Sequence, residues 1–368
     1  MEKRRKILVF SGYNQRAIIA FLRTLECNHI SSYLIVALSE KDDILKTKYA
    51  GKVAFIRKSL KLDIKIFEEI IMSIRNENEY FFVIPSSEYF NRFLLRERKN
   101  IENLGCEIPL VNKDTYEAVS DKESFNKLCE NHGIRVPDKF MFPEKFSAPF
   151  VAKPKRYFSM DGKIYSPILV RNENDYKKLK TEYPLNNFFY EKFVSGQNFY
   201  LLYYFGKKGS VYTFSQENLA QQAYGKSMVA ARTSDIHKTD VGKKFEILFR
   251  ELDFYGLVMV ELRKDKECYY VIEANPRLWG PSQLFVDAGC NFFEAFLADY
   301  GLLEKHVGFC ENEAFYFWNG GVYETWGNDE QIQYFNHGKE SLFEKYDEWV
   351  RHDIYRRTDT RELFMAGK

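Results

Sequence analysis

The sequence predicts an α/β fold at the N-terminus, followed by a larger α+β region with antiparallel sheets. Three observations lead to this prediction. Strands alternate with helices over residues 1–112, which is the pattern of a parallel sheet. The apolar runs at residues 199–205 and 211–214 flank a short turn, which indicates an antiparallel hairpin. The stretch Val258–Gly280 adds two further apolar strands, each of which carries one acidic residue.

The composition is that of a globular protein with a large core. The 368 residues are 45% hydrophobic and 29% charged, and 54 basic residues balance 52 acidic ones. A net charge of +2 gives no argument for nucleic acid or a membrane surface as partner. No signal peptide and no membrane span is predicted, and the six cysteines never occur at C-x-x-C spacing. We therefore expect a cytoplasmic protein of two or three packed units.

The N-terminal unit is predicted from alternating apolar runs. We expect strands at Lys6–Phe10, Tyr33–Leu38, Val53–Ile56 and Tyr80–Pro85, and helices at Gln15–Leu25 and Ile64–Asn76. The turn at Ser11-Gly12 suits an anion at a helix N-terminus, with a plain βα turn as the alternative. Glu88 and Arg92 follow the last strand, at the edge where ligands of parallel sheets bind. They are candidates for holding a substrate, and a structural helix start is the alternative.

The two apolar strands on either side of residue 265 each contain one acidic residue at a position where an apolar residue would be expected. Glu261 follows one apolar run and Glu273 follows the next, with a short charged link between them. An antiparallel hairpin would place the two carboxylates side by side, where they resist ionisation unless a cation lies between them. Asn275 lies on the same strand face as Glu273. Two carboxylates and an amide oxygen suit a hard cation such as Mg²⁺, and apolar strands argue against a merely solvated hairpin.

The ordered set Glu261, then Glu273-Ala274-Asn275-Pro276-Arg277, resembles the metal-binding signature of the ATP-grasp superfamily. Within it the sequence is most similar to carboxylate–amine ligases of the carbamoyl-phosphate-synthetase large-chain type. The resemblance covers about residues 1–300 and implies a pre-ATP-grasp domain with a parallel sheet, then a two-lobed ATP-grasp fold with antiparallel sheets. The implied bounds are 1–112 for the first domain, 113–300 for the second (lobes 113–186 and 187–300), and 301–368 for a C-terminal extension packed on it.

The resemblance also implies the residues of a site. Lys122 and Lys153 would bind the phosphates. Glu191, Lys192 and Val194 would bind the adenine. Asn198 would bind the ribose, where the family usually has Glu. Two Mg²⁺ ions, with Mn²⁺ as an alternative, would be held by Glu261, Glu273 and Asn275. Arg277 would stabilise the transferring phosphoryl group, and Arg232 would bind that group or the substrate carboxylate. Without the resemblance, Lys122 reads as an exposed helix lysine and Lys153 as a strand-end lysine in solvent.

Four further features lie beside this pattern. The loop at residues 155–163 has one glycine where the family usually has several, so Arg156 or a neighbouring lysine would supply charge to the phosphates. Trp279 either stacks on a substrate or packs, and we expect packing. His237 has charged neighbours and is expected at the surface. The aromatic and charged tail from Val307 predicts a C-terminal helical cap.

The family chemistry converts a carboxylate into an acyl phosphate with release of ADP, and an amine then attacks to give an amide or peptide bond. We therefore expect an ATP- and Mg²⁺-dependent carboxylate–amine ligase that acts on small molecules. Many relatives are dimers, which makes a homodimer compatible with the resemblance. Two alternatives stay open. One is another ATP-grasp reaction, such as carboxylation or phosphorylation; the other is a non-catalytic ATP-binding sensor, which the glycine-poor loop would suit.

Overall fold

The computed structural model describes residues 4–159, 161–304 and 308–366. Residues 1–3 of the predicted N-terminal domain, residue 160 of the predicted loop, and residues 305–307 and 367–368 of the predicted extension lie outside the described part. A parallel sheet comes first, followed by two antiparallel sheets. The predicted fold class is therefore confirmed. Among the described residues, no helix has the length and apolar character needed to cross a membrane.

The N-terminal unit contains five parallel strands in the order β3-β2-β1-β4-β5. Its elements are β1 (Arg4–Phe10), α1 (Gln15–Cys27), β2 (Tyr33–Ala37), β3 (Val53–Ile56), α2 (Ile64–Ile74), β4 (Glu79–Val83), α3 (Glu88–Arg96), α4 (Arg98–Asn103) and β5 (Cys106–Glu107). The end of β1 is buried on both faces, as a central parallel strand requires. Because the strand order reverses between β1 and β4, their carboxyl ends form the crevice in which ligands of such sheets bind.

The middle lobe is built on a four-stranded antiparallel sheet in the order β6-β9-β7-β8. Its elements are α5 (Lys113–Ser120), α6 (Lys122–Asn131), β6 (Lys139–Phe140), β7 (Phe150–Pro154), β8 (Ile168–Val170), α7 (Glu173–Glu182) and β9 (Phe188–Lys192). The predicted lobe boundary at 186/187 would place β9 in the second lobe. The strand instead pairs with β6 and β7, so it belongs to the sheet of the first lobe.

The largest sheet has the order β14-β13-β10-β11-β12-β15, and β16 pairs with β11. Its elements are β10 (Gln197–Phe205), β11 (Val211–Gln221), β12 (Met228–Ser234), α8 (Asp240–Glu251), β13 (Gly256–Asp265), β14 (Cys268–Asn275), α9 (Ser282–Asp287), α10 (Phe292–Asp299), β15 (Phe315–Phe317) and β16 (Gln333–Tyr334). Alternate residues of β10 belong to two different apolar cores. One core includes α1 and α10 and the other includes α8, so helices cover both faces of the sheet.

The C-terminal segment is more than the helical cap that the tail predicts, because β15 and β16 extend the large sheet. Its helices are α11 (Asn319–Gly327), α12 (Gly338–Glu344), α13 (Tyr346–Arg351) and α14 (Arg361–Ala366). The segment also reaches the N-terminal unit. The buried Arg23 of α1 donates to the carboxylate of Asp359 at 2.8 Å and to the carbonyl of Ile354 at 2.9 Å. The extension thus holds the first and last units of the fold together.

Candidate active site

The hairpin of β13 and β14 brings Glu261 and Glu273 side by side, as predicted. The two residues are direct cross-strand partners, with a β-bulge just after Glu261. Glu261 is only 7% exposed. Burial raises the pKa of Glu261, and although the Arg263 cation opposes this, the Glu273 carboxylate adds to it. Burial therefore outweighs the nearby Arg263 charge, and Glu261 is the less readily ionised carboxyl of the pair.

Glu273 has the opposite electrostatic environment. The Lys122 ammonium, at the start of α6, forms an ion pair with its Oε2, and the Asn275 amide donates to Oε1 at 2.8 Å. Burial alone would raise the pKa of Glu273, but the Lys122 charge and these hydrogen bonds lower that pKa to about 2. The structure thus brings Lys122 into the predicted acidic site and does not leave it as an exposed helix lysine.

Arg277 lies beyond the carboxylates, at the end of the signature. Its Nη2 donates to the Asn275 amide oxygen at 3.0 Å, and its Nη1 donates to the Leu278 carbonyl at 3.1 Å. Its Nε is buried and has no hydrogen-bond partner among the described residues. An unsatisfied buried donor on a cation calls for an acceptor from outside the protein. This geometry suits the predicted contact with an anionic reacting group.

Lys153 and Glu191 form a buried ion pair between the neighbouring strands β7 and β9. Lys153 is 3% exposed and Glu191 is 1% exposed. The Lys153 ammonium also donates to the Ile272 carbonyl of β14 at 2.7 Å, so the pair ties the middle lobe to the acidic hairpin. The reading of Lys153 as a solvated strand-end lysine is wrong. The Lys192 ammonium forms an exposed ion pair with Asp138 at 2.7 Å. Lys192 also lines a cavity beside Glu191.

Asn198 is placed differently from its predicted contact with a ribose. The side chain is 0% exposed. Its amide nitrogen donates to Glu261 Oε1 at 2.6 Å, and its amide oxygen accepts from Asn218. Because both amide atoms are used inside the protein, the ribose assignment is a misreading. The structure gives Asn198 the role of orienting Glu261.

Arg232 is not brought to the site. It pairs with its cross-strand neighbour Glu217, with Nη2 at 2.6 Å from the carboxylate. The cross-strand pairs place Arg232, Glu217, Phe199 and Leu262 in one row across the sheet. Glu261 lies in the adjacent row, one residue along β13. Adjacent rows point to opposite faces of a sheet. Three strand spacings also put Arg232 roughly 14 Å from β13. Its predicted catalytic role is therefore not supported.

Arg232→Ala is expected to leave catalysis intact. The change removes an ion pair on the face of the sheet opposite Glu261 and leaves the buried Glu217 carboxylate without its cation, so the free energy of unfolding should fall by about 1–3 kcal/mol. ADP release should stay within about twofold of the unaltered protein. Urea unfolding and steady-state ADP release measure both quantities. A large loss of turnover in a folded Arg232→Ala protein would restore the original assignment.

Three cavities run in sequence past these residues. The inner cavity, of about 130 Å³, lies between the two antiparallel sheets and is lined by Lys153, Glu191, Lys192, Val194, Glu261 and Glu273. The central cavity, of about 290 Å³, is lined by Lys122, Arg156, Glu273, Asn275 and Arg277. The outer cavity, of about 810 Å³, is lined by Gly12, Asn14, Arg16, Glu88 and Arg277. Glu273 is shared by the first two cavities and Arg277 by the last two.

The outer cavity lies at the crevice between β1 and β4. Gly12 faces it, with φ at +85°, and a Cβ there would meet the Leu38 Cβ at 2.2 Å. Ser11 does not face it, because its hydroxyl donates to Asp42 at 2.6 Å. Glu88 lines the cavity, and the buried Arg92 holds it with Nε at 2.6 Å from the carboxylate. Of the four weak candidates, Gly12 and Glu88 therefore face a ligand space.

Several minor predictions also have structural outcomes. Trp279 is fully buried and packs on Phe285 and Phe292, as expected. His237 is not at the surface: its ring lies 2.8 Å from the Ser215 hydroxyl and 2.8 Å from a Glu311 carboxylate oxygen. The surface prediction was wrong because it relied on the charged neighbours of His237 in the sequence. His237 lies on a short 3₁₀ turn, one side of which is buried. In the glycine-poor loop, Arg156 lines the central cavity, and its contact with phosphates stays a prediction.

The acidic site fits a hard cation. Its donors are carboxylate and amide oxygens, and a cation would relieve the raised pKa of Glu261. No group of three or more His, Cys, Asp and Glu side chains placed to hold a metal occurs within the described residues. A cation here would therefore be coordinated by Glu261, Glu273 and Asn275 and by oxygens from water or a ligand. Mg²⁺ typically has such a mixed coordination shell.

The same architecture occurs in solved structures of several enzymes. An N5-carboxyaminoimidazole ribonucleotide synthetase in complex with ADP is 15% identical over 96% of this chain and 98% of its own, with a TM-score of 0.63. The ADP complex of the Staphylococcus aureus N5-carboxyaminoimidazole synthetase is 14% identical over 95% and 98%, with a TM-score of 0.64. The biotin carboxylase domain of the 2-oxoglutarate carboxylase from Hydrogenobacter thermophilus, with MgADP and bicarbonate, is 12% identical over 84% and 73%, at a TM-score of 0.62.

Identity this low establishes the fold alone. A scan against protein-family models found no match, and a search of the curated proteins found none either. The chain has a parallel α/β unit joined to a two-lobed body of antiparallel sheets. This is the ATP-grasp fold, which agrees with the resemblance drawn from the acidic hairpin.

Proposed function

We propose that this protein is an ATP- and Mg²⁺-dependent ligase that activates a carboxylate as an acyl phosphate and joins it to an amine. The observation that carries the proposal is the row of three adjacent cavities, each of which shares lining residues with the next. Glu273 lies where the inner and central cavities meet, and Arg277 lies where the central and outer cavities meet. A nucleotide in the inner cavity would thus direct its terminal phosphate toward Arg277 and a substrate in the outer cavity.

The nucleotide would be held by residues of both lobes. Lys153 and Lys122 offer ammonium groups on the two sides of the acidic hairpin, where they would neutralise phosphate charge. Glu191 and the Val194 backbone would hold the adenine edge, as the family resemblance implies. Mg²⁺ bound by Glu261, Glu273 and Asn275 would offset the charge of the β- and γ-phosphates. In this arrangement catalysis is mainly positioning and electrostatics.

The reaction balances in two steps. A carboxylate oxygen attacks the γ-phosphorus, the bond from that phosphorus to the β-bridging oxygen breaks, and ADP leaves. The amine nitrogen then attacks the acyl carbon of the acyl phosphate, the carbon–oxygen bond to the phosphate breaks, and phosphate and a proton leave. Arg277, whose Nε has no partner among the described residues, is placed to bind the phosphoryl group during the first step.

Two guanidinium groups at the outer cavity, which the carboxylates of Asp43, Glu88 and Asp353 also line, support an anionic substrate. Among the described residues, the Arg277 guanidinium donates to the Asn275 amide oxygen and the Leu278 carbonyl. Arg16 donates to the Met228 carbonyl at 3.0 Å and to the Tyr316 hydroxyl at 3.1 Å, and it stacks on a tryptophan ring. Within the described part of the chain, neither guanidinium has a carboxylate within ion-pair distance. Two cations with neutral partners beside one cavity favour a carboxylate ligand.

A second candidate is carboxylation, in which bicarbonate is the carboxylate that is activated. It is favoured by the comparisons, since the similar structures are of an N5-carboxyaminoimidazole ribonucleotide synthetase and a biotin carboxylase domain, one of them with bicarbonate bound. The outer cavity would then hold the nucleophile. A cytoplasmic location rests on the scattered thiols alone, and a homodimer is compatible with the family resemblance.

The test uses purified full-length protein with Mg-ATP, pooled carboxylates and hydroxylamine as a general acceptor, with ADP and AMP quantified separately. ADP formation that requires a carboxylate supports the ligase, and splitting the pools identifies the substrate. ADP formation that requires bicarbonate without any other acid supports carboxylation. ATP binding without turnover in any pool favours a nucleotide sensor. AMP formation would mean adenylation and would contradict the proposed mechanism.

A further inference from the structure

The inner cavity contains a buried cation that the family resemblance does not assign. Arg263 lies two residues after Glu261 on the same face of β13 and is 8% exposed. Its guanidinium makes no hydrogen bond to any described residue. The nearest carboxylate oxygen within ion-pair distance belongs to Glu261, at 3.8 Å. A buried guanidinium with its donors unused is costly unless a ligand completes its environment.

The C-terminal extension holds one side of this guanidinium. The Arg263 Cζ lies 4.3 Å from the centre of the Phe335 ring, which is a cation–π contact. Phe335 follows β16, is itself buried, and is fixed by a 2.9 Å hydrogen bond from its backbone N–H to the Leu219 carbonyl of β11. Because Arg263 also lines the inner cavity, its planar group has aromatic support on one side and ligand space beside it.

The extension also places an amide pair at the same cavity. Gln333 of β16 is the cross-strand partner of Gln221 of β11, and both line the inner cavity. The Gln221 side chain is almost fully buried, and its Nε2 donates to the Lys226 carbonyl at 3.1 Å. Its Oε1 has no hydrogen-bond partner in the described part of the chain. A buried acceptor without a donor calls for an N–H or O–H group from a ligand.

Besides the charged residues named above, apolar residues line the inner cavity, among them Val151, Leu169, Phe193 and Ile272. A narrow space with an apolar wall, a planar cation and an unused amide acceptor suits a flat heteroaromatic ring that carries a donor. The nucleoside end of a nucleotide has both properties. The ribose-binding residue expected by resemblance, Asn198, is engaged with Glu261, so this end of the ligand requires other partners.

We propose that the C-terminal extension completes the nucleoside-binding part of the site. Arg263, supported by Phe335, stacks on the base, and Gln221, aligned by Gln333, accepts a hydrogen bond from an amino or hydroxyl group of the nucleoside. This rests on the proposed nucleotide binding and adds to it a specificity element. Phosphate groups bind through Lys122, Lys153 and the cation, whereas the base binds through residues that the extension positions.

The experiment separates base from phosphate. Isothermal titration measures binding of Mg-ADP and of Mg-tripolyphosphate, which lacks a nucleoside, to full-length protein and to the variants Arg263→Met, Arg263→Lys and Phe335→Leu. Each change at Arg263 should weaken ADP about tenfold, because lysine keeps the charge but loses the planar stack. Phe335→Leu keeps an apolar side chain and should also weaken ADP. Tripolyphosphate affinity should stay within about twofold in all three.

Trp326→Ala is the matched control, since it removes an exposed aromatic ring from the same extension and should change neither ligand. ADP affinity that is unchanged in the Arg263 and Phe335 variants overturns the inference, while the proposed function stands. An equal loss of ADP and tripolyphosphate also overturns it, because Arg263 would then act on phosphate. Wild-type protein that binds neither ATP nor ADP instead overturns the proposed function itself. Melting temperatures confirm that each variant is folded.

Discussion

Glu273→Gln is expected to lower ADP formation by about a hundred- to a thousandfold while the protein remains folded. The substitution keeps the size of the side chain and its ability to accept the Asn275 hydrogen bond, but it removes the negative charge that pairs with Lys122 and that the proposed cation would share. Initial rates of ADP release under saturating Mg-ATP and carboxylate measure the effect. Because the loss concerns charge at the transferring phosphoryl group, we expect it mainly in kcat.

The hairpin supplies a control for this change. Glu267→Gln alters an exposed carboxylate in the turn between the same two strands and should leave the rate unchanged within about twofold. If both variants turn over like the unaltered protein, the paired carboxylates do not bind the reacting cation. If the Glu273→Gln protein binds Mg-ADP normally but forms no ADP from ATP, the carboxylate acts on transfer of the phosphoryl group and not on nucleotide affinity.

The central part of the site could be predicted because its signal is local. The positions of Glu261 and Glu273 in two apolar strands fix a hairpin, and a short turn leaves little freedom in the register. The structure accordingly pairs the two residues directly. The parallel unit was also predictable, since its longer strands end in apolar, buried residues and each is separated from the next by a helix or a turn.

What could not be predicted depends on partners that are distant in sequence. β9 has an ordinary apolar sequence, and nothing in that sequence tells which sheet it joins. The face of Arg232 relative to Glu261 depends on the registers of two intervening strands, β10 and β11. β16 has two residues, too few for any periodicity, so the contribution of Gln333 to the inner cavity had no detectable signal.

Lys153→Met is expected to reduce the free energy of unfolding by about 3–5 kcal/mol, because it leaves the Glu191 carboxylate buried without a counterion. Urea unfolding monitored by fluorescence or circular dichroism measures the change. Lys192→Met is the control on the adjoining strand. It breaks an exposed ion pair with Asp138, and the expected cost is about 1 kcal/mol or less.

The double variant Lys153→Met with Glu191→Gln separates stability from function. Removing both charges of a buried ion pair is often neutral for stability, so most of the loss in the single variant should be recovered. Turnover should not recover, because the cation proposed to bind the phosphates is still missing. A double variant as unstable as the single one would mean that packing, and not charge, sets the cost. A buried ion pair adds little stability. The position of Lys153 beside the acidic hairpin is therefore best explained by the proposed binding of a ligand to its ammonium group.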